Sequence, residues 1–362
     1  MSDVVLPASQ QSAYERGSFT GSAKEYFGIW IVNILLTIVT IGIYSAWAKV
    51  RRKRYFNGNT VLHGRAFGYH ATGGQIFKGR LIAFAFIVVS QLVGLIHPYL
   101  VFIPPILILI FLPWLIMRSV RFNARVTSYR NVRFDFTGTA GGAFVSILLG
   151  GLVAFISFGI LAPLTSRWVN KYIFGNLRYG DRPFSADPKI GKLYRVWIIP
   201  ALMVVIGGAL VGVIGTAAIL GNSAMLSEAD PSTDSVAIAM MLGALYVAMF
   251  GALLVYGLAG IVYRAGVRNV VISSMVLDGK HPLRSDLNRG RYLWIVVSNL
   301  IVSVISLGLM RPWAAVREAR YSVEHTAIRF DGDVGEVLSS IEATGAAISA
   351  EYMDMEGFEF GF

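Results

Sequence analysis

One stretch, Thr37–Phe67 (TIVTIGIYSAWAKVRRKRYFNGNTVLHGRAF), constrains this chain more than any other, because much of it recurs. At a shift of 266 residues Asn33 meets Asn299, Thr37 meets Ser303, Thr40 meets Ser306 and Gly42 meets Gly308. Trp47-Ala48 then meets Trp313-Ala314, and Arg51, Arg54, Tyr55 and Thr60 meet Arg317, Arg320, Tyr321 and Thr326. At a shift of 117 residues Phe19-Thr20-Gly21 meets Phe136-Thr137-Gly138, Gly42 meets Gly159, Arg54 meets Lys171, Tyr55 meets Tyr172, Asn59 meets Asn176 and Phe67 meets Phe184. Constant offsets with this many polar matches mean three copies of one unit, and a repeated unit restricts the fold before any local pattern is read. In the middle copy Gly150, Ala154 and Leu164 stand where the first has Asn, Thr and Trp.

The medium is fixed by the apolar runs. Gly28–Trp47, Leu81–Met117, Ala143–Leu164, Val196–Leu220, Val236–Val262 and Leu293–Met310 approach or exceed the ~20 residues that cross hydrocarbon. Only 15% of the 362 residues are charged and 55% are hydrophobic, against roughly 25% charged in soluble domains. The fold class expected is an α-helical polytopic membrane protein. All seven tryptophans lie near the ends of the runs, as in an interfacial aromatic belt. There is no cysteine, so disulfides and thiolate chemistry are excluded. The polar start, MSDVVLPASQQSAYERGS, carries no signal-peptide apolar core.

Charge argues the topology. The His97-Pro98 turn and the Gly221–Ser235 loop lack Lys and Arg, so both are expected in the periplasm. Every other connection is basic and is expected in the cytoplasm. Runs in the three copies are then flanked by cytoplasmic charge on both sides, which a single crossing cannot satisfy. The reading is a re-entrant helical hairpin, with limbs of ~14 residues spanning about 21 Å and bends at Gly42, Gly159 and Gly308. The alternative is a plain transmembrane helix with a basic extension. Two transmembrane hairpins lie between the copies. Asn59–Tyr69, Ser128–Phe136, Leu177–Phe184, Ser274–Leu283 and His325–Phe330 read as small cytoplasmic β-hairpin segments, for example by the period of two in Val132, Phe134 and Phe136. These segments gather into one or more small sheets or stay separate. Boundaries follow at 1–18 (N-terminal segment), 19–76 (repeat 1), 77–127 (hairpin), 128–190 (repeat 2), 191–272 (hairpin), 273–330 (repeat 3) and 331–362 (acidic tail).

FTGSAKEYF, the GIYSAWAKVR run, and Asn59-Thr60 with the later Phe67 give the chain a resemblance to the YjgN-like family of bacterial inner-membrane proteins. The resemblance implies an inner-membrane location and brings no activity or site.

No catalytic constellation is legible. The five histidines are not paired at metal-ligand spacing, Gly73–Gly79 is not a phosphate-binding loop, and no cofactor is expected. The apolar runs hold no Asp, Glu, Lys or Arg between their ends, which weighs against proton-coupled transport. Two candidate sites remain. One is a polar stripe, Asn33, Thr37 and Thr40 with Asn299, Ser303 and Ser306, spaced along one helix face in each outer copy. It reads as interhelical hydrogen bonding or as the lining of a cavity between the copies. The other is a set of anionic-lipid contacts at headgroup level: Trp47, Lys49, Arg51, Arg54, Arg167, Lys171, Trp313, Arg317 and Arg320. Gly208, Gly212 and Gly215 are expected to form a close-packing helix face, and Pro104, Pro105 and Pro113 to bend their limb.

The net charge of +11 hides an asymmetry. Asp331–Phe362 carries eight acidic residues and no base, so the rest holds 32 basic against 13 acidic, or +19. A tail helix is expected over Glu336–Ile348, folded back on the basic surface with Phe358, Phe360 and Phe362 as anchors, or else a disordered tail. The expected partners are membrane lipids, anionic by preference. Nucleic acid is disfavoured because the basic residues hug the membrane. The leading expectation is non-enzymatic binding or movement of a lipid or amphiphile. The alternative is a scaffold that offers its sheet and acidic tail to a protein partner.

Overall fold

The computed structural model describes residues 14–227, 234–332 and 334–355. β1 (Glu15–Arg16) and β2 (Ser18–Phe19) flank Gly17. α1 (Ala23–Val39) and α2 (Ser45–Gly58) form a helical pair that returns to β3 (Thr60–Leu62) and β4 (Arg65–Tyr69). α3 (Gly73–Ile96), a 3-10 turn and α4 (Ile103–Arg125) lead to β5 (Thr127–Tyr129) and β6 (Val132–Phe136). α5 (Ala140–Ala143), a π-helical stretch and α6 (Gly150–Ile156) run as one limb, and α7 (Ala162–Gly175) returns to β7 (Leu177–Tyr179) and β8 (Arg182–Ala186). α8 (Ile190–Ser227) and α9 (Asp234–Ile272) precede β9 (Met275–Leu277) and β10 (His281–Ser285). α10 (Arg289–Ile305), α11 (Arg311–Glu324), β11 (Thr326–Ile328) and α12 (Val334–Met355) follow.

The strands form one eleven-stranded antiparallel sheet, ordered β1-β11-β10-β9-β8-β7-β6-β5-β4-β3-β2. Its two ends, β1 and β2, are consecutive in the chain, so the sheet closes into a ring. Glu15 and Arg16 pair with Ile328 and Ala327, and Ser18 and Phe19 pair with Val61 and Thr60. Gly17 sits at the switch, its amide donating to the Thr326 carbonyl at 3.0 Å. A Cβ there would lie 2.9 Å from Val323 Cγ1 and 3.2 Å from the Val323 carbonyl, so only glycine lets the two neighbours approach. Closure removes the exposed edges that a flat sheet would present.

Each strand entering a helical pair is hydrogen-bonded to the strand leaving it, and this order of strand, pair, strand occurs five times among the described residues. Between units the chain turns tightly. His63-Gly64 and Arg130-Asn131 have positive φ at both positions (44° and 65°, 46° and 62°), which the two-residue hairpin turn requires. The register aligns one residue per strand around the ring interior. Phe67 faces Tyr129, Phe134 faces Tyr179, Phe184 faces Leu277 and Leu283 faces Ile328. These side chains surround a lumen of about 340 Å³.

Among the described residues four helices are long and apolar enough to cross a membrane: Gly73–Ile96, Tyr99–Arg125, Ile190–Gly221 and Ile238–Ile272. The chain therefore has the architecture of a polytopic membrane protein, with two long pairs, α3/α4 and α8/α9, between three short ones. Pro104 and Pro105 start α4 in its first turn, where missing amides cost nothing, and only Pro113 lies in the helix interior. The α8/α9 seam uses Gly207 against Val255, Val211 against Gly251 and Gly215 against Ala248, whereas Gly208 and Gly212 face open space.

Three expectations change. The β segments are one closed sheet, because each hairpin also pairs with the strands on either side of it. The N-terminal segment does not stop at residue 18 as a separate piece: Glu15–Phe19 is the staple of the ring. The tail helix spans Val334–Met355, longer than expected, and is held by apolar burial of Leu338 and Ile341 against the ring cluster of Tyr129, Tyr179 and Phe184. Phe358, Phe360 and Phe362 lie outside the described residues.

A latch joins ring and tail. Phe330, 3% exposed, lies between the rings of His63 and His281, at centroid distances of 5.2 and 5.3 Å. His63 pairs with Glu15. The Asp331 amide donates to His281 Nδ1 at 3.0 Å, which requires that nitrogen unprotonated. Burial pushes the His281 pKa below its ordinary value. Asp278 and Asp331 oppose the shift, and Lys280 and Arg182 reinforce it. A depressed histidine contributes stability that is full above the unfolded pKa of about 6.5 and is lost as pH falls through the folded value. The protection factors of residues 334–355, which are exchange rates corrected for the intrinsic pH dependence, are therefore expected to fall on acidification below about pH 6.5, and Leu338→Ala, which removes a core contact worth about 2–5 kcal/mol, should lower them at every pH. Protection independent of both would show the helix held by something else.

Candidate functional site

The short pairs are clamped to the ring by the residues that recur in sequence. The Tyr55 hydroxyl donates to the Ser22 carbonyl (2.8 Å) and accepts from the Ser22 amide (2.9 Å). Tyr172 donates to the Thr139 carbonyl at 2.8 Å, and Tyr321 bridges the Asn288 amide and carbonyl at 3.1 and 3.3 Å. Each tyrosine thus bolts the end of the second limb to the start of the first. The residue four positions later closes the second limb: Asn59, Asn176 and His325 bond the carbonyls of those same tyrosines.

The far ends of these pairs are apolar tips. Ile41, Phe158 and Leu307 are 94%, 96% and 93% exposed and have φ of 49°, 49° and 50°. The glycine after each donates back to the carbonyl five residues earlier, Gly42 to Thr37 (2.7 Å), Gly159 to Ala154 (2.8 Å) and Gly308 to Ser303 (2.7 Å). This is a Schellman closure with a large apolar residue at the left-handed position that glycine usually takes. Thr40, Ser157 and Ser306 complete it by accepting from the amides of Tyr44 (2.9 Å), Leu161 (3.0 Å) and Met310 (3.0 Å).

The polar stripe therefore divides by role. Thr40 and Ser306 cap the second limbs. Asn33 and Asn299, both buried, hold the limbs of their pairs together: Asn33 Oδ1 accepts from Arg51 at 3.4 Å, and Asn299 accepts from Arg317 at 3.2 Å and donates to the Ala314 carbonyl at 3.0 Å. In the middle pair Gly150 replaces this arrangement. Its carbonyl accepts from Thr165 at 2.7 Å, and its missing side chain lets the limbs approach directly. Thr37 and Ser303, with both asparagines, line one cleft of about 1020 Å³ where α1/α2 meets α10/α11.

That cleft is amphipathic. Trp30, Ile34, Ile38, Leu300, Val304 and Leu307 give it an apolar wall, and Lys49, Arg52, Arg80 and Arg311 give it a basic one. Arg80, from α3, also donates to the Ser45 hydroxyl. Burial first, then the like charges of Arg80 and Lys53, pull the Lys49 amine below the usual lysine range. Glu318, the acidic residue of the lining, accepts from the Tyr292 hydroxyl at 2.7 Å.

The other expected lipid contacts are distributed differently. Arg167 (3.1 Å) and Lys171 (3.2 Å) share Asp187 and hold its carboxyl below the usual range. Arg320 donates to the Gly21 carbonyl at 2.9 Å, joining the fifth unit to the first. Trp47 packs over Gly73 and Phe77, Arg317 stacks on Trp313 at 5.1 Å, and Arg54 is exposed. Of the nine, only Lys49 lines the cleft. Its companions Arg52, Arg80 and Arg311 come from three different helices, and no spacing in sequence joins them. Among the described residues no cluster of His, Asp or Glu could hold a metal.

A closed ring carrying four helices that, among the described residues, are long and apolar enough to cross a membrane fits a polytopic membrane protein. The chain matches, over residues 14–355, the family described as "Bacterial protein of unknown function (DUF898)", and it belongs to that family. It is 27% identical to the inner membrane protein YjgN of Salmonella typhimurium strain LT2, over 87% of this chain and 88% of that protein. It is 35% identical to the inner membrane protein YjgN of Escherichia coli K12 over 40% of this chain and 38% of that protein, and 34% identical to its counterpart in Escherichia coli O157:H7 over the same shares. No solved structure matches. The chain is thus a YjgN-like inner-membrane protein.

The division of the stripe is measurable. Ser306→Ala removes a helix cap and should cost about 1 kcal/mol, lowering Tm in detergent. Thr37→Val, which loses only a bond to its own helix at Asn33 (2.6 Å), should leave Tm nearly unchanged. Equal effects would mean the hydroxyls do not have separate roles.

Proposed function

We propose that this protein is a non-enzymatic binder of an anionic lipid or small amphiphile, which enters the cleft between α1/α2 and α10/α11. The carrying observation is the pairing of four basic side chains with an apolar wall in one open groove. Each basic residue near a membrane surface contributes about 1 kcal/mol toward anionic headgroups, and the apolar wall receives acyl chain. The three short pairs read as pseudo-repeats and as re-entrant hairpins: both limbs start at the ring, and limbs of 17 and 14 residues in the first pair are too short to cross. Their exposed tips insert into hydrocarbon, and the basic second limbs lie at headgroup depth. The ring then lies on the cytoplasmic side, as the basic strand–helix connections imply.

Two experiments test this reading. Native mass spectrometry of protein taken from mixed phosphatidylcholine and phosphatidylglycerol nanodiscs should show phosphatidylglycerol retained selectively. The triple variant Lys49→Gln/Arg52→Gln/Arg311→Gln should weaken retention by about a hundredfold if the ~1 kcal/mol contributions add. Absence of bound lipid in mild detergent, or equal retention of the two lipids, would refute the cleft as a lipid site. For orientation, Lys53→Cys should be shielded from an impermeant thiol reagent in intact cells and Ser227→Cys should be labelled. The reverse pattern would invert the topology.

A further inference from the structure

We infer that the lumen of the β-ring is a second binding site, separate from the cleft, which takes a single-chain carboxylate of about ten carbons with its head at Arg268. The lumen is apolar through its middle, walled by the belt of one residue per strand, and it ends at Phe330 and at Leu338 of α12. Among the described residues its one charged lining group is Arg268, near the end of α9. Arg268 Nη1 donates to Ser285 Oγ at 2.7 Å, and Nη2 donates to the Ser322 carbonyl at 2.9 Å and to Thr326 Oγ1 at 2.7 Å. All three acceptors are neutral, and among the described residues no carboxylate forms an ion pair with it. Five N–H donors less three leaves two for a ligand.

The phenols in the wall offer nothing comparable. Tyr129 donates to the Leu62 carbonyl at 2.8 Å and Tyr179 to the Tyr129 carbonyl at 2.9 Å. The lumen lining is therefore almost wholly apolar, and Arg268, Ser322 and Thr326, which bond to one another, are among its few polar members. That composition suits a fatty carboxylate, with the guanidinium supplying the charge-assisted hydrogen bond that a carboxylate favours. Packed interiors keep few voids larger than a water molecule, and 340 Å³ is in the range of small-molecule pockets. At about 30 Å³ per water-sized group the space holds roughly ten carbons. The α12 helix forms the floor, so this site would be coupled to the tail latch.

The test uses full-length protein in phosphatidylcholine nanodiscs and radiolabelled carboxylates from octanoate to hexadecanoate, with empty nanodiscs subtracted. In the Lys49→Gln/Arg311→Gln background one decanoate per chain is expected, with affinity peaking near ten carbons. A steady rise through sixteen carbons, which membrane partition alone would give, would overturn the site. Arg268→Gln should weaken decanoate at least tenfold and leave decanol unchanged. Leu277→Trp/Leu283→Trp, which fills the lumen without touching Arg268, should abolish both. Should either variant fail to fold, the chain-length profile and the comparison of decanoate with decanol on the wild type still decide. Equal affinity for decanoate and decanol would remove the role given to Arg268. Lys49→Gln/Arg311→Gln, which weakens the cleft, should keep the decanoate whose affinity peaks near ten carbons, which separates this site from the cleft.

Discussion

The structure depends on a mismatch between strands and helices. Neighbouring strands lie about 4.8 Å apart, whereas packed helices lie about 8–10 Å apart. Counting Glu15–Phe19 as one strand, ten strands give a perimeter of about 48 Å, which strand tilt enlarges only modestly. Ten helical limbs side by side need about 80–100 Å. A helix follows or precedes every strand, so the limbs have to splay away from the ring axis. Gaps between neighbouring pairs widen away from the sheet, and the cleft lined by Asn33 and Asn299 is one such wedge. The clamps built on Tyr55, Tyr172 and Tyr321 lie at the ring, the level where the limbs are close enough for a side chain to bridge them.

A splayed short pair has an exposed end, and its backbone groups need partners that hydrocarbon does not supply. The glycine that follows each tip residue, together with one hydroxyl, provides them internally. A non-glycine residue in left-handed geometry costs roughly 1–2 kcal/mol, and glycine at Ile41, Phe158 or Leu307 would avoid that cost. On the proposed re-entrant reading, the large side chain would compensate by burying its surface in lipid, at about 25 cal/mol per Å² of apolar area removed from water. The preference for Ile, Phe and Leu over Gly is therefore a physical argument that these tips lie in hydrocarbon, independent of the charge rule.

Much of this was legible from the sequence and some was not. The constant offsets located the short pairs because their clamps and tips need polar residues and glycines at fixed places. The hairpin segments showed through turn residues and the alternation in Val132–Phe136. Ring closure was invisible: β1 and β2 are two residues each, too short for any period, and their partners lie on opposite sides of the chain in sequence. The long pairs α3/α4 and α8/α9 follow the same strand–pair–strand order but reach their length with apolar residues, so no polar match marks them. The cleft and lumen needed coordinates, since Arg80 and Arg268 lie beyond the apolar runs, in connections whose basic charge reads only as a topology signal.

The closed ring also carries an energetic consequence. Ten short strands enclose more volume than their inward side chains fill, because Gly17 and residues no larger than tyrosine occupy the belt. Apolar wall left against this space keeps about 25 cal/mol per Å² of burial energy unrealised. Water relieves little of this, since the wall offers it few partners away from Arg268. Collapse is blocked as well: five helical pairs anchored on the ring hold its perimeter open. An apolar guest relieves the strain without distorting either layer. The same geometry that splays the helices into clefts thus leaves an apolar space of about 340 Å³ inside the ring.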